Sequence, residues 1–133
     1  MEDVLNVADL AILFQRRYSY IKDVKDITDK LAEAISGNDG YTTEVILEER
    51  GDAIRKVENV TEQIRLLGEA GPKAAFSAHK LIYTEPENIV PETDDEKLVQ
   101  EIRLKTKTLV LALQAQDKMV NKRLTRDQSF YKD

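Results

Sequence analysis

Glycine and proline, the residues that most readily end regular structure, gather in a few places in this chain. Gly37 and Gly40 form one cluster, Gly68, Gly71 and Pro72 a second, and Pro86 and Pro91 a third, while Gly51 stands alone. The long stretches between them carry apolar residues in steps of three and four, the period of an amphipathic helix rather than of a strand. An all-β chain would need turn residues roughly every ten positions. With 133 residues, 41% hydrophobic and only 6% aromatic, the chain suits one all-α domain. The expected architecture is an elongated antiparallel bundle of three long helices with one short extra helix, over residues 3–36, 42–69, 72–83 and 94–126.

The first helix is expected to start at Asp3 or Asn6 and to bury Val7, Leu10, Phe14, Ile21, Val24, Leu31 and Ile35, with Arg17 and Thr28 interrupting the apolar steps. At the helical rise it would be roughly 45 Å long. Residues 37–40, Gly-Asn-Asp-Gly, accept left-handed backbone angles and favour a short antiparallel return. The segment 43–67 is the clearest amphipathic helix and the expected framework of the bundle. Leu47, Ile54, Val57, Ile64 and Leu67 share its apolar face, and Arg50 and Thr61 break it. Thr42 or Thr43 is the expected cap, and Gly51 costs up to about 1 kcal/mol relative to alanine unless packing requires it.

Pro72 is placed to open a short helix. Residues 84–92, TEPENIVPE, cannot continue it, since two prolines remove backbone donors; Ile89 and Val90 are expected to anchor this linker. The last helix has the clearest start in the chain, with Thr93 and Glu96 in capping-box spacing and an acidic first turn. Leu98, Ile102, Leu109, Leu113 and Val120 make its principal stripe, widened by Val99, Val110 and Leu124. Leu104 and Leu111 point away from that stripe, so the run LVLAL at 109–113 is apolar nearly all round. Such a run is expected to be buried between neighbours, to self-associate, or to receive another protein's amphipathic helix. The tail 124–133, with Phe130 and Tyr131, loses periodicity and is expected to fray.

The net charge of −5 is unevenly spread: residues 1–102 hold 12 Lys and Arg against 22 Asp and Glu, a balance of −10, while residues 103–133 hold 8 against 3, a balance of +5. Complementarity between a basic last helix and acidic neighbours accounts for such a split. Without cysteine there are no disulfides, thiolate metal sites or cysteine nucleophiles. His79 is the sole histidine, no HExxH or Glu-x-x-His pattern occurs, and no phosphate-binding loop or GxSxG elbow is present. The reading is of a non-enzymatic protein with no cofactor and no metal. The N-terminus, MEDVLNVADLAILF, is acidic where a signal peptide is basic, and no run approaches the ~20 apolar residues of a membrane span, so a cytoplasmic protein is expected.

Two strings carry a family resemblance. ILEERGDAIRKVENV, with Leu47, Glu48, Glu49, Arg50, Ile54 and Val57, resembles a helix of flagellar export chaperones of the FlgN/FliT type. IRLKTKTLVLALQAQDKMVNKRL, with Asp117, Asn121 and Leu124, is similar to that family's closing segment. Together the two strings cover about half the chain; Gly51 and the proline-containing linker depart from the family's pattern. The resemblance implies a small helical chaperone that binds the terminal helices of hook-filament junction or filament-cap proteins and shields them before export. On that reading Leu104, Val110, Leu111, Met119, Val120 and Leu124 form the partner-binding strip. The alternatives are an assembly protein acting through homo-oligomerisation, such as a homodimer, and, less favoured, a nucleic-acid-associated protein using Lys118, Lys122, Arg123 and Arg126.

Overall fold

A computed structural model describes residues 4–132, with side chains through Leu124. The fold is all-α, with four helices: α1 (Val7–Ser36), α2 (Gly40–Gly68), α3 (Pro72–Leu81) and α4 (Asp94–Lys132), and a 3-10 turn at Pro86–Asn88. α2 returns antiparallel to α1, and α4 runs parallel to α1, as the third pass of an up-down-up bundle must. α4 starts beside the first turns of α1, where Val99 and Ile102 join Leu10 and Phe14 in one core cluster, and it reaches the other end where Arg123 donates to Ser36 Oγ at 2.8 Å.

The elements begin where side chains can satisfy their first amides. Asn6 caps α1 by accepting from the Asp9 amide at 3.1 Å. α2 starts earlier than expected: Asp39, not Thr42 or Thr43, is the cap, accepting from the Thr42 amide at 3.0 Å and the Thr42 hydroxyl at 2.6 Å. In the turn before it the left-handed angle falls on Asn38, at φ 55°, and on neither neighbouring glycine. At α4 the Glu96 amide donates to Thr93 Oγ1 at 3.1 Å as the capping box predicts. The Glu96 carboxylate, however, accepts from the Glu92 amide, one residue beyond the Thr93 amide. α4 remains helical through Lys132, past the boundary at 126; the side chains of Phe130 and Tyr131 lie outside the described residues.

α1, rather than α2, is the central element, packing along its length against both α2 and α4. Two apolar clusters fill the bundle. One joins Leu10, Phe14, Ile64, Leu81, Ile89 and Val99; the other joins Leu31, Ala34, Ile35, Ile46 and Val120. The four residues that interrupt the apolar steps of α1 and α2 pair with one another. Arg17 Nε donates to Thr61 Oγ1 at 3.1 Å, and Arg50 Nε donates to Thr28 Oγ1 at 2.9 Å. From Arg17 to Thr28 the chain climbs three turns of α1, while from Thr61 to Arg50 it descends three turns of α2, so the two bonds fix one antiparallel register. Arg50 also reaches α4, with its NH2 group 2.6 Å from Asp117 Oδ1.

The buried faces of α2 and α4 keep Ile64, Ile102 and Val120 of the expected stripes but differ at the start of each helix. Ile46 is buried in place of Leu47, and in α4 Val99, which widens the expected stripe, is buried while Leu98 is exposed. Three threonines also take buried positions, Thr28 of α1, Thr43 of α2 and Thr106 of α4. Each hydroxyl donates to the carbonyl four residues back in its own helix, at 2.7 to 2.8 Å, so it occupies a core position without an unpaired polar group.

The linker lies across α4, held by one face of that helix. Gln100 donates to the carbonyls of Pro86 and Ile89, Arg103 to those of Leu81 and Thr84, and Lys107 to the carboxylates of Glu85 and Glu87. Ile89 is buried as expected, whereas Val90 is exposed.

Candidate functional site

α4 carries two apolar faces. The inner face, through Val99, Ile102, Thr106 and Val120, belongs to the bundle. At about 100° per residue, Leu104, Leu111, Ala115 and Met119 project within about 80° of one another and on the opposite side of the helix. Leu104 is 39% exposed, Leu111 57% and Met119 62%. Over roughly 22 Å this outer face carries no carboxylate.

The expected partner strip is therefore divided. Val120 is only 4% exposed and packs with Leu31, Ala34, Ile35 and Ile46, with Leu124 against the same cluster; Val110 is half-buried. Leu104, Leu111 and Met119 face outward together. The LVLAL run is not enclosed by neighbours, because Leu109, Val110 and Leu113 turn toward the bundle while Leu111 and Ala112 remain exposed.

The basic residues of α4 are used unevenly. Lys107 sits 3.0 Å from Glu85 and 2.7 Å from Glu87, bonds that raise its pKa and lower that of Glu87. Lys105 stands over the Tyr18 ring at 4.4 Å, within cation-π range. Arg123 is spent on Ser36. Lys118 and Lys122, which border the outer face, make no ion pair among the described residues. Asp117 turns inward to Arg50. The helix thus complements its acidic linker but keeps an apolar outer face with free lysines at one end. The side chain of Arg126 lies outside the described residues.

Among the described residues, two of the cavities lie beside α1. One, about 420 Å³, is acidic: Asp23 and Asp26 of α1 face Glu49 and Asp52 of α2, with Lys30 and Lys56 nearby. The other, about 320 Å³, is lined by Phe14, Arg17, Thr61, Ile64 and Arg103 together with Arg65, Ile82 and Tyr83. Burial lowers the pKa of Arg17; burial and then the like charge of Arg17 lower that of Arg103, against the opposing pull of Glu85 and Glu87. Arg17 was visible in the sequence as a cation at an expected core step. Arg103 and Tyr83 were not marked by any spacing, because they reach the cavity only through the packing of α4 and of the segment after α3 against α1 and α2.

His79 is exposed at the end of α3, where its carbonyl accepts from the Thr84 hydroxyl at 2.6 Å. Among the described residues no cluster of three or more His, Cys, Asp or Glu has the arrangement of a metal site, and no helix is long and apolar enough to cross a membrane. Comparison with known proteins adds no neighbour: no protein-family model matches the chain, and neither a curated protein nor a solved structure does so.

Proposed function

We propose that this chain is a non-enzymatic binding protein of the cytoplasm, which receives an amphipathic helix of another protein on the outer face of α4. The observation that carries the reading is the second apolar face itself: Leu104, Leu111 and Met119 are exposed together on the side of α4 away from the core. A helix needs one apolar stripe to join a bundle, and a second stripe has no use within it. A helical partner would lay its i, i+3/i+4, i+7 residues along such a strip. Lys118 and Lys122 at its edge favour a partner helix with acidic flanks.

The family resemblance supports a more specific form, an export chaperone that shields the terminal helices of hook-filament junction or filament-cap proteins. The test is titration of a synthetic terminal helix of such a protein, by calorimetry, into wild type and into the Leu104→Glu/Leu111→Glu double variant. Both positions are exposed, so the variant should keep its fold. Affinity should fall by about tenfold or more, since each charge would be forced against apolar surface. Equal affinity in the folded variant removes the outer face from the proposal. If sedimentation instead reveals a wild-type dimer that the same substitutions dissociate, and no helical peptide binds, the face joins copies of the chain.

A further inference from the structure

We infer that the cavity between α1, α2 and α4 is a binding site for a small oxyanion carried on an apolar body, with Arg17 and Arg103 as its ligands. Each guanidinium leaves one edge unused among the described residues. Arg17 spends Nε on Thr61, and Arg103 spends NH1 on the carbonyls of Leu81 and Thr84. Among the described residues the terminal nitrogens of Arg17 and the Nε–NH2 edge of Arg103 have no protein acceptor. These edges present paired donors in the geometry that takes a carboxylate or phosphate by two parallel bonds.

The nearby carboxylates are already engaged. Glu62 and Glu69 hold Arg65, the latter at 2.6 Å, and Glu85 and Glu87 hold Lys107. Neither Arg17 nor Arg103 has a carboxylate within ion-pair distance among the described residues. Two half-buried cations therefore line one cavity, each made less favourable by burial; at Arg103 the like charge of Arg17 adds to that cost, while the fields of Glu85 and Glu87 offset part of it. An anion between them relieves both costs. Phe14, Ile64 and Ile82 supply the apolar wall, Phe14 being fixed under Arg103 with 5.7 Å from guanidinium to ring centre. Tyr83, largely exposed, lines the rim. At about 320 Å³ the space suits a small ligand. This site lies on a different side of α4 from the outer apolar face, so neither proposal depends on the other.

The experiment follows the arginine Nε–H resonances of the ¹⁵N-labelled full chain during titration with phenyl phosphate, benzoate, inorganic phosphate and benzyl alcohol. The proposal expects saturable shifts of the Arg17 and Arg103 signals with phenyl phosphate or benzoate. The preferred probe identifies the oxyanion, inorganic phosphate should bind more weakly, and benzyl alcohol should leave both signals unmoved. Arg17→Gln, which can still donate to Thr61, should weaken binding by about tenfold or more, while Lys118→Gln/Lys122→Gln should not change it. Shifts spread evenly over the surface arginines, or undiminished affinity in Arg17→Gln, overturn the assignment. The wild-type resonances decide the matter even if that variant does not fold.

Discussion

Gly51 and Gly68 are both helical glycines of α2, yet their surroundings set opposite demands. A methyl group added at Gly51 would meet nothing closer than the end of the Arg55 side chain, at 3.9 Å. At Gly68 it would stand 2.9 Å from Ala78 Cβ and 3.1 Å from Ile82 Cδ1, because α3 folds back against the last turn of α2 there. Gly51 therefore carries the backbone entropy cost of glycine with no packing return, and Gly68 permits a close approach. Gly51→Ala should raise stability in urea denaturation by roughly 0.5–1 kcal/mol. Gly68→Ala should lower it by roughly 1–3 kcal/mol, since the Ala78 methyl belongs to a neighbouring helix and cannot simply swing aside. Changes of the same sign at both positions would contradict this account of α2.

At the scale of the element, α4 is held at its start by a contact that titrates. Burial pushes the Glu96 carboxyl up, but the Lys80 ammonium at 2.7 Å and the Glu92 amide at 3.1 Å outweigh it, leaving the group below its ordinary range. A carboxyl depressed in the folded state contributes stability that is complete above its unfolded value, near about 4.3. That contribution is lost as pH falls through the lower folded value. Glu96→Gln, which can still accept from the Glu92 amide, should cost roughly 1 kcal/mol at neutral pH. The difference from wild type should close as pH falls below the ordinary carboxylate range and the native carboxyl becomes neutral too. A gap that stays constant in denaturation curves across this range would assign the loss to shape rather than charge. This start was legible in the sequence because a capping box is local, as were the helices themselves, whose periodicity and Gly/Pro punctuation need no tertiary information. The buried faces were less so. Thr28 read as a polar interruption, Thr43 as a candidate cap, and Thr106 carried no reading at all, yet each bonds its own helix and so counts as core. Periodicity alone set the outer leucines Leu104 and Leu111 apart and put Val120 on the stripe that the bundle buries, whereas the meeting of Arg103 with Arg17 across a cavity depends on how α4 packs against α1.

For the whole molecule the arrangement of helices sets the order in which parts can open. α1 is flanked along its length by α2 and α4, and its buried residues run from Leu10 through Phe14, Ile21, Val24 and Leu31 to Ile35. The Arg50 side chain of α2 bonds Thr28 in the second half of α1 and Asp117 of α4, so one residue links all three long helices. α3, by contrast, has ten residues and packs through Ala74, Ala78 and Leu81 against the ends of α2 and α4. Opening α3 uncovers Ala74, Ala78 and Leu81, a smaller apolar surface than the two seams of α1, whereas exposing the α1 amides requires both long neighbours to leave. Native-state hydrogen exchange should therefore find the amides of residues 14–31 exchanging through global unfolding, with the full urea dependence of that transition. Those of α3 should exchange at lower free energy and with a shallower dependence. If amides around Val60 of α2 outlast those of α1, the bundle is centred on α2 and the ordering argued from packing fails. If α3 exchanges together with α1, the Lys80–Glu96 contact and the linker bonds of Gln100 and Arg103 bind it into the same cooperative unit. In that case Glu96→Gln should uncouple the two, releasing α3 while leaving α1 protection at the global limit.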